Sequence, residues 1–257
     1  MSIIDHFALT GKTALVTGAA GLYGRQMAEA LAEAGARVLV ASRNLDALAA
    51  CADEMRERGY DVTALAYDQA EEASILALRD AAGPVDVLVN NAVLRPMKDG
   101  YVGSAESFAA SMCVNATGLF LITRAFGDCM AERGHGSIIN IGSIQGMVGP
   151  DPFIYRDTPM HGWYPDYFFH KGGMINFTRF LASYYGRFGV RANCVSPGGF
   201  WTERMPEPFV RQYSERTLLG RLANDTDLKG IIVFLASEAS AYITGTNIPV
   251  DGGYTAK

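Results

Sequence analysis

The sequence predicts an α/β protein organised on a doubly wound parallel sheet of about seven strands. Three observations carry that reading. Short β-branched runs alternate with helical periodicity along the whole chain. Several of those runs are apolar nearly throughout, as strands buried on both faces are. The first run leads through a glycine-rich turn into a helix. Joining parallel strands through helices requires right-handed crossovers, which gives the doubly wound arrangement. A chain of 257 residues suits one such unit, and no repeat, low-complexity tract or linker divides it, so 1–257 is read as a single domain.

The candidate strands, in order, are 13–17, 37–41, 62–66, 85–89, 137–141, 190–195 and 247–250. Between the first two, 25–34 has helical spacing, with Met27 and Leu31 one turn apart and Gly35 as the stop signal. Gly59 and Gly134 punctuate later helices in the same way. The apolar stretch 230–236 reads as strand or helix core. A long helical pattern runs from Tyr167 to Phe188. Two segments break the rhythm. Segment 146–166 carries Pro150, Pro152, Pro159 and Pro165; segment 200–216 carries Pro206 and Pro208 among Trp201, Glu203, Arg204 and Arg211. Prolines disfavour regular structure here, and aromatic-rich loops of this length read as lids over a substrate.

Composition narrows the function. Hydrophobic residues at 49% and charged residues at 19% exclude a disordered chain. A formal net charge of −5 argues against a nucleic-acid or polybasic membrane surface. No uninterrupted apolar run approaches the ~20 residues of a membrane span, and the start of the chain lacks a basic-then-apolar secretory pattern, so a cytoplasmic protein is expected. Cys51, Cys113, Cys129 and Cys194 form no Cys-x-x-Cys pair and read as buried free thiols. The scattered histidines form no metal constellation, and no metal is expected.

The glycine turn is Thr17-Gly-Ala-Ala-Gly-Leu-Tyr-Gly24. Gly18, Gly21 and Gly24 permit a tight turn and close backbone approach. Leu22 and Tyr23 lie at the helix N-terminus behind them, where open N–H groups and the positive end of the dipole suit a pyrophosphate. The end of the second strand should read the adenosine ribose. It carries Ser42 and Arg43 where an NAD site wants an acid. A hydroxyl and a guanidinium can bind a 2′-phosphate that a carboxylate would repel, which favours NADP(H) over NAD(H). Asp68, just past the third strand, is the candidate for the adenine amino group.

Tyr167 and Lys171 are four residues apart on one helical pattern, which places phenol and ammonium on one face. The cation favours the phenolate and brings its pKa toward working pH, as a general acid/base needs. Ser143, just past the fifth strand, could hydrogen-bond a substrate oxygen opposite the tyrosine. Asn115 is polar in an apolar helical stretch, and a water relay behind the lysine is one way to satisfy it.

With these residues the chain resembles the short-chain dehydrogenase/reductase family over about 9–254. The turn at 17–24 is similar to the family's cofactor motif, and Asn90-Asn91-Ala92 to its Asn-Asn-Ala-Gly segment. Asn115, Ser143, Tyr167 and Lys171 match its catalytic tetrad. Ser196-Pro197-Gly198 with Thr202 resembles the segment at the nicotinamide end, and 243–253 the C-terminal signature of the short branch. The resemblance implies a Rossmann-type sheet of seven strands, hydride transfer between nicotinamide and a carbonyl carbon, a small-molecule carbonyl or alcohol substrate, and a homotetramer. It also implies that Asn115 holds a water in the proton path and that Lys171 binds cofactor ribose. Three departures stand out. The middle glycine is Gly21 where the short branch has it at 22. The Ser143–Tyr167 interval of 24 residues is closer to the extended branch, while Tyr155 sits nearer the short-branch spacing without a lysine. Val93 replaces the usual glycine. A narrower similarity, carried by 175–186 and the proline-bearing insert, is to reductase-like proteins of bacterial surface-sugar and flagellin-glycan pathways.

The expectation is an NADP(H)-dependent oxidoreductase acting on a polar, sugar-like alcohol or ketone. A nucleotide-sugar epimerase or dehydratase with tightly held cofactor is the enzymatic alternative, and a non-catalytic NADP-binding sensor the alternative from another class.

Overall fold

The computed structural model describes residues 2–257. Seven parallel strands form one sheet: β1 (Thr13–Thr17), β2 (Arg37–Ser42), β3 (Val62–Ala66), β4 (Val87–Asn90), β5 (Gly136–Ile141), β6 (Val190–Pro197) and β7 (Asn247–Val250). Their order is β3-β2-β1-β4-β5-β6-β7, the doubly wound topology expected of a Rossmann-type sheet. The helices are α1 (Leu22–Glu33), α2 (Leu45–Glu57), α3 (Glu72–Ala82), α4 (Ala105–Met112), α5 (Leu119–Arg133), α6 (Pro165–Tyr185), α7 (Glu207–Arg216) and α8 (Lys229–Ala236), with a π-helical turn at Cys113–Gly118 between α4 and α5.

Strand alternation splits the core in two. Ala14 and Val16 of β1 point to the face covered by Met27 and Leu31 of α1, Leu48 and Met55 of α2, and Ile232 and Leu235 of α8. Leu15, between them, points to the face covered by Leu78 of α3, Ile122, Phe126 and Met130 of α5, and Leu181 of α6. Each fully buried side chain of this size contributes roughly 1.5–3 kcal/mol, so the sheet centre is the rigid platform. The chain reverses winding between β1 and β4, and the ends of those strands open the crevice where such sheets bind ligands.

Several boundaries differ from expectation. The fourth strand starts at Val87, because Asp86 is an anchor: its carboxylate accepts from the Thr13 N–H at 2.8 Å and pairs with Arg133 at 3.3 Å. The sixth runs on to Pro197, held by the register Cys194↔Asn247 to Pro197↔Val250. Stretch 230–236 is helix α8. The prolines of the two irregular segments start helices as well as break them: Pro165 opens α6 and Pro208 lies in the first turn of α7, where a missing N–H costs nothing. These two segments share a small core of their own, Ile144, Ile154, Phe209, Tyr213 and Leu222. Arg216 pairs with Asp151 at 2.9 Å across them. All four cysteines are free, but only Cys51 and Cys194 are buried; Cys113 is exposed. Among the described residues one helical run, Ala105–Arg133, is long and apolar enough by composition to cross a membrane, which a search for uninterrupted apolar residues misses. Here its inner stripe packs on the sheet, and its Arg124 pairs with Glu72 of α3.

Candidate active site

The glycine turn is locked by close backbone packing. Gly18 has φ +65°, and a Cβ there would meet the Ala92 Cα at 2.9 Å. A Cβ on Gly24 would meet the Gly18 carbonyl oxygen at 2.3 Å and the Ala19 Cα at 2.8 Å. Gly21 is the N-cap of α1 and supplies no side-chain cap, and the first intrahelical bond runs from Arg25 N–H to the Gly21 carbonyl at 2.9 Å. The amides of Leu22, Tyr23 and Gly24 therefore face the crevice as a cradle for an anion. The shifted middle glycine leaves this cradle intact.

Asn91 secures the turn from the neighbouring strand. Its Nδ2 donates to the carbonyls of Thr17 and Gly18, both at 3.0 Å, so its side-chain donors are engaged with protein. Thr17 Oγ1 accepts from the N–H groups of Asn91 and Ala92, each at 3.0 Å. Thr17 was not singled out from the sequence, yet it fixes the turn against β4. Val93, in the glycine position, has ordinary negative φ and is 44% exposed, so its side chain points away from the turn.

At the far end of β2, Ser42 Oγ donates to the Asn44 carbonyl at 3.2 Å, and Asn44 caps α2 through the Ala47 N–H at 3.1 Å. Arg43 is exposed between them and has no carboxylate within ion-pair distance among the described residues. Asp68 uses one carboxylate oxygen on the Ala70 N–H at 2.9 Å. These groups could hold the adenosine half of a dinucleotide. On the other side, Pro197 ends β6, and the Gly198 N–H donates to the Val250 carbonyl at 3.0 Å. Tyr23 spans the crevice: its hydroxyl donates to the Gly198 carbonyl at 2.8 Å, and its ring packs edge-on against Phe200 at 5.1 Å. Thr202 follows, half-buried.

Tyr167 and Lys171 lie on one face of α6. Lys171 is 3% exposed, and its Nζ donates to the Ile141 carbonyl at 2.5 Å and stands 5.7 Å from the Tyr167 ring centre. Burial alone would raise the Tyr167 phenol. The charges of Lys171 and then Arg95, with the Ser143 hydroxyl also near the phenol, outweigh it, and the phenol lies below its usual value of 10. Burial also lowers Lys171, while the tyrosine opposes that shift. Tyr155 is in the opposite state: it packs against Phe209 at 5.6 Å, and burial pushes it up to about 12. The structure thus brings Ser143, Tyr167 and Lys171 together and leaves Tyr155 against the small separate core of the two irregular segments.

The Asn115 side chain finds its partners within the protein. Its Oδ1 accepts from the Leu94 N–H at 2.9 Å, and its Nδ2 donates to the Leu94 carbonyl at 2.7 Å and to Ser111 Oγ at 2.9 Å. Ser111 in turn donates to the buried Asp166 carboxylate at 2.6 Å. The amide is satisfied by protein, with no water needed to explain its burial. One residue went unread in the sequence, Arg95, while His170, beside Lys171, reads there as a packed histidine that could also touch substrate or a subunit neighbour. Arg95 holds its guanidinium carbon 4.0 Å from the Tyr167 ring centre. His170 packs edge-on against the same ring at 5.2 Å, and burial, then Lys171 and Arg95, push its pKa down to about 3.

A family model described as enoyl-(acyl carrier protein) reductase matches residues 18–255. A galactitol 2-dehydrogenase (L-tagatose-forming) of Cereibacter sphaeroides is 33% identical over 259 residues, with 97% of each chain covered. A gluconate 5-dehydrogenase of Gluconobacter oxydans is 31% identical over 265 residues, with 99% of each covered. The crystal structure of a gluconate 5-dehydrogenase from Burkholderia cenocepacia, in complex with NADP and tartrate, superposes with a TM-score of 0.88 at 33% identity over 100% of both chains.

Proposed function

The chain belongs to the short-chain dehydrogenase/reductase family, and from that premise we propose that it is an NADP(H)-dependent dehydrogenase interconverting a secondary alcohol and a ketone on a polyhydroxy, sugar-like molecule. One observation carries the reading: a phenol lowered by a buried lysine one turn away stands beside a serine hydroxyl, at the ends of the central strands.

When bound, the nicotinamide cofactor supplies or accepts the hydride. The protein's part is positioning and proton transfer. Tyr167 gives its phenolic proton to the substrate oxygen in reduction and takes one from the substrate hydroxyl in oxidation. Lys171 holds the phenolate form accessible, and Ser143 orients the oxygen that Tyr167 serves. The amides behind Gly18, Gly21 and Gly24 would hold the pyrophosphate, Ser42 and Arg43 the 2′-phosphate, and Asp68 the adenine. Asn91, Ala92, Pro197, Gly198 and Thr202 would line the nicotinamide half. NADP in the Burkholderia relative supports this preference. Segments 146–166 and 200–216 act as the substrate lids. Galactitol and gluconate, named for the relatives, share a run of carbinol groups, which supports the substrate class.

The relatives matched over nearly the whole chain are named as dehydrogenases, which favours this reading over a nucleotide-sugar epimerase. Exposed Phe169, Phe180 and Tyr184 on α6 and Phe120 on α5 support self-association, in keeping with a homotetramer. The unpaired cysteines are in keeping with the cytoplasm.

The test is hydride exchange with NADPH across a panel of ketoses, keto-acids and polyols. Tyr167→Phe should lower turnover by roughly 10²–10⁴-fold while NADPH still binds. Turnover retained by that variant on a confirmed substrate overturns the assignment.

A further inference from the structure

Arg95 is exposed, and its guanidinium lies over the ring of Tyr167. It has no Asp or Glu within ion-pair distance among the described residues. The other arginines of the lid segments are differently placed: Arg216 pairs with Asp151 and lies on Phe153 at 4.2 Å, Arg156 lies on the same ring at 4.7 Å, Arg211 pairs with Glu207 at 3.9 Å, and Arg204, exposed and without an ion pair, lies over no aromatic ring among the described residues. Arg95 is also held where it is. Both backbone groups of Leu94 are clamped by the Asn115 amide, which is tied through Ser111 to Asp166. The residue that follows Leu94 therefore leaves a fixed point of the loop.

Charge balance supplies the second argument. Two cations, Lys171 and Arg95, act on one phenol, and the nearby guanidinium disfavours the charge on Lys171. His170, the neighbouring titratable ring, is neutral above about pH 3 and offers no counter-charge. Its two ring nitrogens have no hydrogen-bond partner. Among the described residues neither Lys171 nor Arg95 has an Asp or Glu within ion-pair distance, so while the phenol is protonated the two cations have no carboxylate paired with them. A guanidinium presents a planar fork of donors that matches a carboxylate.

We propose that Arg95 binds a carboxylate of the substrate and that the substrate is accordingly a hydroxy acid of the aldonate class, with its carboxylate on Arg95 and its reacting carbinol at Tyr167. This rests on the dehydrogenase reading above and narrows it from neutral polyols to sugar acids.

The experiment compares C4–C6 aldonates with the alditols of the same carbon skeleton, using NADP+ and the full-length protein. Wild type should favour the acids. In Arg95→Gln, kcat falls on both classes because the phenol loses one of its cations. KM, however, rises only for the acids, by roughly 10- to 100-fold, the loss of one charge-assisted fork. Arg95→Lys, which keeps the charge without the fork, should recover only part of the KM. Equal KM shifts for acids and alditols, or a wild type that oxidises alditols and not acids, overturns the proposal. Calorimetric binding of tartrate to the NADP+ complex reads the arginine without turnover. It should saturate with wild type and weaken at least about tenfold in Arg95→Gln. Equal binding, or none to wild type, overturns the carboxylate assignment. A wholly inactive substrate panel with tartrate binding that still depends on Arg95 overturns the dehydrogenase reading instead.

Discussion

Gly24→Ala tests how the cofactor cradle is built. The added methyl would stand 2.3 Å from the Gly18 carbonyl oxygen, 2.8 Å from the Ala19 Cα and 2.9 Å from Asn91 Nδ2. Two of those three atoms are backbone, so no side-chain rotation relieves the overlap and α1 must slide away from the turn. Overpacking of this kind costs about 1–3 kcal/mol. Displacing Gly18 also weakens its bond from Asn91, about 1 kcal/mol. Exchanging glycine for alanine inside a helix returns up to about 1 kcal/mol. The net loss is about 1–3 kcal/mol, a fall in Tm of roughly 2–12 °C for a chain of this size. Gly21→Ala is the control, because its methyl meets only the Gly18 oxygen at 3.4 Å and its φ is −80°. The apo Tm of that variant should fall by no more than about 4 °C, since alanine in place of glycine at the N-cap of α1 costs about 1 kcal/mol at most. Thermal unfolding without cofactor and NADPH fluorescence titration measure the two effects separately. Gly24→Ala should lose both stability and NADPH affinity. A Gly24→Ala protein that melts and binds NADPH like wild type would refute the packing argument.

Two further outcomes follow from the charges. Arg43→Ala should weaken NADPH by roughly 10- to 100-fold and NADH by much less, because a charge-assisted contact to a 2′-phosphate is lost in only one of them; equal losses in fluorescence titrations would contradict the contact. His170, depressed from 6.5 to about 3 in the native state, makes stability fall as the medium is acidified. Between those values the unfolded chain holds a proton that the folded chain does not, so acid favours unfolding, by at most about 1.4 kcal/mol per pH unit below pH 6.5. His170→Gln should flatten that limb in urea unfolding between pH 7 and 4.5, and an unchanged slope would show that the ring is not buried neutral.

β1 was legible because burial on both faces of the sheet demands a continuous apolar run, whereas β3 and β7, the half-buried edges, were legible as short runs between turn signals. The start of β4 was not, because Asp86 reads as a strand residue until its bond to Thr13, on a distant part of the chain, is known. Tyr167 and Lys171 were legible from spacing along one helix. Arg95 was not: its place over the phenol depends on the Leu94–Asn115 clamp, which joins a loop to a helix 21 residues on. The only hint was an isolated cation just past a central strand end, where ligands bind. Asn115 was recognised as a buried amide that must be satisfied, but its partners are set by the tertiary fold. The helix α7 was hidden by prolines that read as breakers until they stand in a first turn.

The bond from Tyr23 to the Gly198 carbonyl joins two points 175 residues apart. It staples the wall of the crevice that emerges early in synthesis to the wall that emerges late. A nascent chain ending before Gly198 has the phosphate cradle but no opposite wall, and its Tyr23 hydroxyl has lost its acceptor. A dinucleotide lying in this crevice would therefore need both walls in place. Binding then reports that both halves of the sheet have come together, which makes ligand-dependent resistance to proteolysis a natural readout of complete folding.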